Sequence, residues 1–336
     1  MKKVLNRAQD LLDEALEGFV LSFPQYLTQI PNTHVLSRKQ AKKQGRVGIV
    51  SGGGSGHEPA HGGYVGYGML DAAIAGEIFT SPTPDQILEG IKAADRGAGV
   101  LLVVKNYTGD IMNFEIAQEL AQDEDIQTST VVVNDDVAVQ DSSFTTGRRG
   151  IAGTVFVHKI VGALAEQGVS LDQITKTANE TISNLASMGF ALAPCTVPQA
   201  GSPTFTLEDD EMEMGIGIHG EPGIERHKIL SAHDIAQVLL EKISTDLELK
   251  DGQRVAGLVN GMGATPAVEL AVLAREVSLW AKANNIKLDL LWTGEFMTSL
   301  EMAGASITLL AVDDHTLGLL NAACDTPALR QGVKYE

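Results

Sequence analysis

The chain contains 336 residues, of which 43 are acidic and 25 are basic, so its formal net charge at pH 7 is −18. Hydrophobic residues make up 44% and charged residues 20% of the chain, which supplies a sizeable core and argues against intrinsic disorder. The acidic balance argues against broad binding of nucleic acid or anionic membrane, because both need a positive surface. At about 150 residues per domain, the length favours two domains or one large one.

The N-terminal segment and the cysteines predict a cytoplasmic protein. The first residues include Lys2 and Lys3 but no uninterrupted apolar stretch, so they make a poor signal peptide. No apolar run approaches the roughly 18 residues that a membrane-spanning helix needs. Cys195 and Cys324 are too few for a disulfide framework or a four-thiolate zinc site. We therefore expect a reduced, cytoplasmic protein that spans no membrane.

The first half of the chain alternates helical and strand patterns. Apolar residues at helical spacing predict an opening helix between Leu5 and Phe19, and Val47–Val50 predicts a buried strand that runs into glycines 52–54. The next predicted elements are a helix at Asp85–Ala94, a strand at Val100–Val104, a helix from Asp110 to about Leu120 and a strand at Thr128–Val133. This alternation, with short glycine-containing turns, is typical of a mainly parallel α/β sheet.

The second half of the chain repeats the α/β pattern after a segment of different composition. Helical stretches at about 150–164 and 170–187 precede a segment rich in proline, glycine and threonine, which contains a predicted strand at about 211–218. The last predicted elements are a strand at 255–259, a helix at 266–284 and strands near 286–292 and 306–312. We expect an N-terminal α/β domain at 1–190 and a C-terminal α/β domain at 191–336. Each should have a mixed or mainly parallel sheet flanked by helices.

Two motifs in the glycine-rich segment invite interpretations that their context does not support. His57 to His61 matches the zinc-protease pattern H-E-x-x-H, which requires both histidines on one face of a continuous helix. Pro59 and the glycines on both sides argue against that helix. Gly52 to His57 also lacks the Gly-Lys-Ser/Thr of a phosphate-binding loop and the third glycine of a dinucleotide motif. Exposed backbone N–H groups could still bind a small polar ligand, or the segment is only a tight turn.

An alternating segment points to His219 as a candidate functional residue. Between Glu211 and His219 the even positions are apolar, which places Glu213, Gly215, Gly217 and His219 on the opposite face of a predicted strand. The two glycines would leave open space beside the imidazole, and interior glycine weakens a strand that has only a structural role. His219 would then lie at a strand end, where α/β sheets usually carry their sites. A structural histidine is the alternative.

Lys105 and Asp110 form a second candidate pair, at the end of the buried strand Val100–Val104. Five residues apart across a glycine turn, the two side chains can converge on one small polar group. The lysine donates hydrogen bonds, and the aspartate can accept a proton from a hydroxyl. The alternative is that Asp110 only caps the following helix.

Four long motifs in sequence order, together with shorter ones, resemble the dihydroxyacetone kinase family, specifically the substrate-binding K subunit of its phosphotransferase-system type. The resemblance covers essentially the whole chain. The motifs that carry it are Ser51–Leu70, EIFTSPTPDQI, VKNYTGDIMNFE, MEMGIGIHGEPGIER, VNGMGATP, SITLLAVDD and TPALRQG. The resemblance implies two α/β domains with the active site between them, and a homodimer.

The resemblance also implies roles for individual residues. His219 matches the histidine whose ring nitrogen bonds covalently to the carbonyl carbon of dihydroxyacetone, forming a hemiaminal. A neutral imidazole is nucleophilic near neutral pH, and covalent capture selects ketones over plain alcohols such as glycerol. The substrate-binding residues implied by the family are Gly54, Ser55, Gly56, His57, Lys105, Asp110 and His219. Within this set His57 is implied as an acid/base residue and Asp110 as the general base, whereas His61 is expected to be structural.

The same resemblance implies that the phosphoryl donor lies on another polypeptide. Single-chain relatives append a helical nucleotide-binding domain of about 200 residues, and this chain ends at Glu336, so we expect no cofactor and no metal on it. ADP or ATP with magnesium would be bound by a partner L subunit. A phosphocarrier M subunit, supplied ultimately by phosphoenolpyruvate, would recharge that nucleotide. Dihydroxyacetone phosphate would be the product.

Several features depart from the family pattern or stay open. The segment between Lys228 and Gly252 is shorter than in some relatives, Gly261 replaces an expected asparagine, and Glu301 replaces an expected aspartate, which leaves the exact ketose open. Arg148 and Arg149 are expected to be an exposed pair at a helix start, or else a contact for phosphate or an acidic partner. The family also includes co-activators that bind the ketone without phosphorylating it, and the intact Lys105-to-Asp110 segment favours the kinase subunit. A zinc hydrolase that uses His57 and His61 is the third alternative.

Overall fold

A computed structural model describes residues 2–139, 146–221 and 223–333, which form two compact units. The first unit comprises Lys2–Val133, Phe156–Glu180 and the described part of Gly318–Glu336. The second unit comprises the described parts of Asn134–Val155 and Thr181–Leu317. The predicted domain boundary near residue 190 stays a prediction. Among the described residues, no helix is long and apolar enough to cross a membrane.

Strands and helices alternate along most of the chain. The strands are β1 Leu27–Gln29, β2 Val35–Arg38, β3 Gly48–Ser55, β4 Ala72–Ile78, β5 Val100–Lys105, β6 Thr128–Val133, β7 Leu185–Ala193, β8 Glu211–Met214, β9 Glu225–Lys228, β10 Arg254–Gly261, β11 Lys287–Gly294, β12 Ala303–Ala311, β13 Cys324–Asp325 and β14 Arg330–Gln331. The α-helices are α1 Leu11–Ser22, α2 Pro84–Ala94, α3 Thr108–Asp123, α4 Thr154–Gln167, α5 Leu171–Ser183, α6 Ala232–Asp246, α7 Ala267–Ala283 and α8 Asp314–Leu320. Short 3-10 turns lie at Ala8–Asp10 and Gly62–Tyr64.

The first unit is built on a six-stranded sheet in the order β1-β2-β4-β3-β5-β6. Strands β4, β3, β5 and β6 pair in parallel, whereas β2 pairs antiparallel with β4 and β1 antiparallel with β2. Parallel strands are buried on both faces, which explains why β5 reads as a continuous apolar run. Helices α2 and α3 pack on the sheet through residues such as Ile91 and Phe114, which are buried against Ile74 and Leu102. The carboxyl ends of β3 and β5 therefore lie side by side.

The second unit is also built on a six-stranded sheet, in the order β11-β10-β12-β7-β8-β9. Strands β10 and β11 pair in parallel, and the other neighbouring strands pair antiparallel. Helices α6 and α7 cover one face, with Leu239, Ile243, Leu273 and Val277 in the core. Two units with mixed sheets and flanking helices confirm the predicted fold class.

Phe114 offers a test of the packing that positions α3. It is buried in the core of the first unit, so Phe114→Ala should lower the free energy of unfolding by about 3–5 kcal/mol through lost burial and a cavity. Urea denaturation followed by circular dichroism measures the change. Met112 lies on the same helix and is exposed, so Met112→Ala should change the free energy by no more than about 0.5 kcal/mol. Equal losses in the two variants would contradict the packing described here.

Candidate functional site

The glycine run at residues 52–54 belongs to strand β3, and other groups lie close to each of these glycines. Gly52, Gly53 and Gly54 continue the strand as far as Ser55, so they do not form a loop after it. A Cβ at Gly52 would lie 2.6 Å from the carbonyl oxygen of Ile74, and a Cβ at Gly54 would lie 2.6 Å from the backbone nitrogen of Thr80. Such distances are too short for a real side chain. The glycines therefore allow neighbouring backbone to approach β3 closely.

Polar side chains converge on the space that Gly53 leaves empty. A Cβ at Gly53 would lie 2.9 Å from Lys105 Nζ, 3.5 Å from Asp110 Oδ2 and 3.7 Å from His61 Nε2. Lys105 is the last residue of β5, and Asp110 lies in the first turn of α3. Their Nζ and Oδ2 atoms are 3.9 Å apart, and both side chains are buried. The structure thus brings together the predicted pair Lys105 and Asp110.

Asp110 lies in the first turn of α3 and is not its N-cap residue. Tyr107 is the N-cap residue of α3, and its side chain makes no capping hydrogen bond. The Oδ1 atom of Asp110 is buried and has no hydrogen-bond partner among the described residues. The positive end of the helix dipole favours a carboxylate in the first turn. A buried acceptor without a partner, beside a lysine, suits the binding of a ligand hydroxyl.

His61 lies beside this pair and is bonded to a second buried histidine. Its Nδ1 atom is 3.0 Å from His158 Nε2 and 3.4 Å from the Ser51 hydroxyl, whereas its Nε2 atom has no hydrogen-bond partner among the described residues. Burial lowers the pKa of His61 well below its usual value, and the nearby Lys105 lowers it further. Burial and Lys105 together lower the pKa of His158 to about 3. Both imidazoles are therefore neutral near pH 7.

The predicted loop residues Ser55, Gly56 and His57 follow Gly54 at the end of β3. The Ser55 hydroxyl donates a 2.7 Å hydrogen bond to the carbonyl of Gly76, and the Gly56 N–H donates to the carboxylate of Glu58 at 3.1 Å. His57 is fully buried and stacks on the ring of Phe79, with centroids 5.1 Å apart. The Ser55 hydroxyl therefore links the end of β3 to the backbone of β4 at Gly76.

In the second unit, the strand that was expected to carry His219 ends five residues before it. Strand β8 stops at Met214, because Gly215 has φ of +74°, which turns the chain away from the sheet. The predicted strand at 211–218, with an uninterrupted alternation as far as His219, was therefore wrong. The apolar positions 212, 214, 216 and 218 are nevertheless all buried. The apolar residues of a turn can thus imitate the alternation of a strand.

The space beside Gly217 holds protein groups, which corrects the expectation of room for a ligand there. A Cβ at Gly217 would lie 2.0 Å from Glu221 Oε2 and 2.7 Å from Arg149 Nη1. The Glu221 carboxylate accepts hydrogen bonds from the backbone N–H of His219 at 2.9 Å and is 3.0 Å from its Nδ1 atom. The His219 side chain is 17% exposed and Glu221 only 2%, so the imidazole is accessible to solvent above a buried carboxylate.

Arg149 is buried, which overturns the expectation of an exposed arginine pair. Its side chain donates to Asp136 Oδ2 at 2.8 Å and to the carbonyl oxygen of Gly215 at 2.8 Å. Arg148 instead forms an ion pair with Asp246, with Nη1 and Oδ2 2.8 Å apart. The sequence does not show which of the two arginines is buried, because they are adjacent and their acidic partners lie 13 and 98 residues away.

A family model described as the Dak1 domain matches residues 17–328 of the chain. The chain belongs to the Dak1 family. The dihydroxyacetone-binding subunit of PTS-dependent dihydroxyacetone kinase 1 from Listeria innocua serovar 6a is 53% identical over 329 residues, which cover 98% of this chain and 100% of that relative. The corresponding subunit of the PEP-dependent dihydroxyacetone kinase from Escherichia coli K12 is 46% identical over 356 residues, with 99% and 100% coverage. The predicted family resemblance is thus confirmed.

Solved structures with the same fold include both a kinase and a regulator. The dihydroxyacetone kinase of C. freundii matches with a TM-score of 0.90 and 33% identity, over 98% of this chain and 60% of that one. A dihydroxyacetone kinase operon co-activator matches with a TM-score of 0.90 and 36% identity, over 97% of this chain and 99% of that one. The Dak1 fold therefore serves proteins of two kinds.

Sequence reasoning missed Glu221 and did not foresee what Gly53 and Arg149 contact. A Cβ added at Gly53 would lie 2.9 Å from Lys105 Nζ. Glu221 and Arg149 both lie within 3 Å of where a Cβ at Gly217 would be. Glu221 could have been found, because it follows His219 by two residues in a glycine turn, a spacing that allows a carboxylate to bind both the backbone and the ring. Gly53 and Arg149 carry no comparable local signal.

The zinc interpretation of His57 and His61 loses its structural basis. The segment between them consists of turns, and no group of three or more potential metal-binding residues occurs among the described residues. Protein purified without chelator should therefore contain zinc far below one equivalent when it is measured by inductively coupled plasma mass spectrometry. One equivalent in the unaltered protein, removed by His61→Ala, would contradict this interpretation.

Proposed function

We propose that the chain is the dihydroxyacetone-binding subunit of a phosphoenolpyruvate-dependent dihydroxyacetone kinase, and that it presents the ketone for phosphorylation. The observation that carries the proposal is the 53% identity with a subunit of that name over that relative's whole length. The buried Lys105–Asp110 pair and the accessible imidazole of His219 supply the groups that this chemistry needs. The site residues Gly54, Ser55, Gly56 and His57 complete the proposed substrate-binding set.

His219 would capture the ketone. The lone pair of its Nε2 atom attacks the carbonyl carbon, the carbonyl π electrons move to oxygen, and a neighbouring N–H group gives that oxygen a proton to form the hemiaminal. The positive charge that the ring acquires is balanced by the Glu221 carboxylate, 3.0 Å from Nδ1. We assign the proton donor to His57. Capture through a carbonyl carbon explains how such a subunit would discriminate against glycerol, which has hydroxyls but no carbonyl.

Asp110 and Lys105 would act on the hydroxyl that receives the phosphoryl group. The Asp110 carboxylate takes the proton from the terminal hydroxyl as its oxygen attacks phosphorus, and Lys105 Nζ donates a hydrogen bond to the substrate. The burial of both groups strengthens these interactions by excluding water. The product is dihydroxyacetone phosphate.

The partners follow from the same proposal. The phosphoryl group would come from a nucleotide bound with magnesium on an L subunit, and an M phosphocarrier subunit would recharge that nucleotide from phosphoenolpyruvate. No cofactor would be bound by this chain itself. We propose a cytoplasmic homodimer that binds no nucleic acid and no membrane, in keeping with the net charge of −18.

A ketone-sensing co-activator is the second candidate. A co-activator of the dihydroxyacetone kinase operon shares the fold with a TM-score of 0.90, but only 36% of its residues are identical. A sensor needs capture of the ketone and no proton transfer to a phosphoryl acceptor. The retained Lys105 and Asp110, buried and close together, favour the kinase subunit.

Substitution of the proposed base tests the kinase activity. The protein is combined with L and M subunits, phosphoenolpyruvate and dihydroxyacetone, and the formation of dihydroxyacetone phosphate is measured with a coupled reductase. Asp110→Asn should lower kcat by about 10²- to 10⁴-fold, because the amide cannot accept the hydroxyl proton. His233→Gln, on an exposed histidine of α6, should leave the rate unchanged. Full activity in Asp110→Asn would refute the assigned base.

Capture by His219 is tested separately from turnover. Crystals soaked with dihydroxyacetone should show continuous density from the His219 ring to the ligand, and titration calorimetry should show that His219→Ala no longer binds the ketone. Glycerol should not compete with dihydroxyacetone. Undiminished ketone affinity in His219→Ala would refute covalent capture, whereas capture without product in the complete system would favour the co-activator.

A further inference from the structure

We propose that Glu221 is a positioning residue that holds the His219 imidazole in one orientation with its proton on Nδ1, so that the lone pair is on Nε2. The consequence for ketone capture rests on the proposed function. The tautomer and orientation of the ring do not, because they are properties of the free subunit.

The first argument is the number of contacts that Glu221 makes to one residue. One carboxylate oxygen accepts the backbone N–H of His219 at 2.9 Å, and the other lies 3.0 Å from the ring Nδ1 atom. Two anchors on a single carboxylate fix the ring relative to its own backbone. A freely rotating imidazole would present a reactive nitrogen in the right direction for only part of the time.

The second argument is the charge of the carboxylate. Burial alone would raise the pKa of Glu221, but the contacts with His219 and the nearby Arg149 outweigh burial and lower it to about 2. Glu221 is therefore ionised and can only accept hydrogen bonds. Its partner Nδ1 must then carry a proton, which in a neutral imidazole places the lone pair on Nε2.

The third argument is the space reserved for the carboxylate. The missing side chain of Gly217 is what lets Glu221 Oε2 and Arg149 Nη1 come so close to the backbone. Arg149 in turn is held by Asp136 and by the carbonyl of Gly215, and both charged partners are fully buried. The Glu221 carboxylate thus lies near a buried cation that is itself fixed from the other side. Such backing keeps an orienting group in place.

The inference assigns a function to a glutamate that would otherwise be only a turn residue. In solution a neutral imidazole favours the tautomer with its proton on Nε2, which has no lone pair there for attack. An orienting carboxylate reverses that preference, as it does for the histidine of serine hydrolases, where loss of the carboxylate lowers kcat by about 10⁴-fold. In serine hydrolases the carboxylate keeps Nε2 unprotonated so that it can accept a proton. Glu221 would keep Nε2 of His219 unprotonated so that it can form a bond to carbon.

The tautomer is measured directly by nuclear magnetic resonance. Protein labelled with ¹⁵N-histidine is studied without ketone at pH 8, and long-range ¹H–¹⁵N correlations assign the protonated ring nitrogen; His219→Gln identifies the His219 signals. The unaltered protein should show a protonated Nδ1. Glu221→Gln should shift His219 toward a protonated Nε2, because one amide oxygen cannot accept from both the backbone and the ring.

Two further variants separate positioning from general damage. Gly217→Ala displaces the carboxylate without changing it and should shift the tautomer in the same direction as Glu221→Gln. Glu276→Gln is the matched control, because it removes a carboxylate that lies 3.1 Å from Nδ1 of the exposed His233 in the same unit, and it should leave His219 unchanged. A protonated Nε2 in the unaltered protein overturns the proposal even if neither substituted protein folds, and so does an unchanged His219 in a folded Glu221→Gln.

Kinetics connects the tautomer to the proposed function. With L and M subunits present, Glu221→Gln should lower kcat/KM for dihydroxyacetone by about 10²- to 10⁴-fold, and Glu221→Asp should restore part of the loss together with the Nδ1 proton. If the unaltered protein neither binds nor phosphorylates the ketone, the proposed function fails while the tautomer result stands. If it is active and Glu221→Gln is equally active, the positioning role alone is refuted.

Discussion

In each unit, the candidate site depends on a charged side chain that is buried against a glycine. Lys105 lies next to the bare Cα of Gly53, and Glu221 lies next to that of Gly217. Removing an ion from water costs several kcal/mol unless other groups compensate. Lys105 has Asp110 at 3.9 Å, and Glu221 has two donors of His219 with Arg149 nearby. Each charged side chain therefore needs a glycine beside it to make room, and it needs the neighbouring polar groups to compensate for its lost hydration.

Much of the fold could be predicted because its parallel strands are continuous apolar runs. Strand β6 was predicted at its observed bounds, and β5 and α2 to within one residue. The elements that were missed have weaker local signals. Strand β4 has the sequence AAIAGEI, which is poor in branched residues, and β7 begins two residues after α5, so its start was read as helix. Long-range pairing between β7 and β12 determines that strand, and no local pattern records it.

The candidate site was predictable where chemistry and position coincide in sequence. Lys105 and Asp110 follow a buried strand, and that is where the structure brings them together. His219 was selected for a reason that proved wrong, because Gly215 ends the strand and the space at Gly217 is filled by Glu221 and Arg149. The selection of His219 itself stays a prediction. Periodicity shows which residues are buried, but it cannot show whether a buried position is reached by a strand or by a turn.

The fold alone cannot decide between a kinase subunit and a co-activator, since both kinds of protein share it closely. The decision has to come from groups that one function needs and the other does not. Ketone capture requires a nucleophilic imidazole, whereas phosphoryl transfer also requires a base at the accepting hydroxyl. An acceptor buried without a hydrogen-bond partner, as Asp110 Oδ1 is among the described residues, costs about 1–3 kcal/mol of stability. A protein that only binds the ketone needs no proton acceptor at that position, so the place of Asp110 beside Lys105 is what favours the proposed kinase subunit over the co-activator.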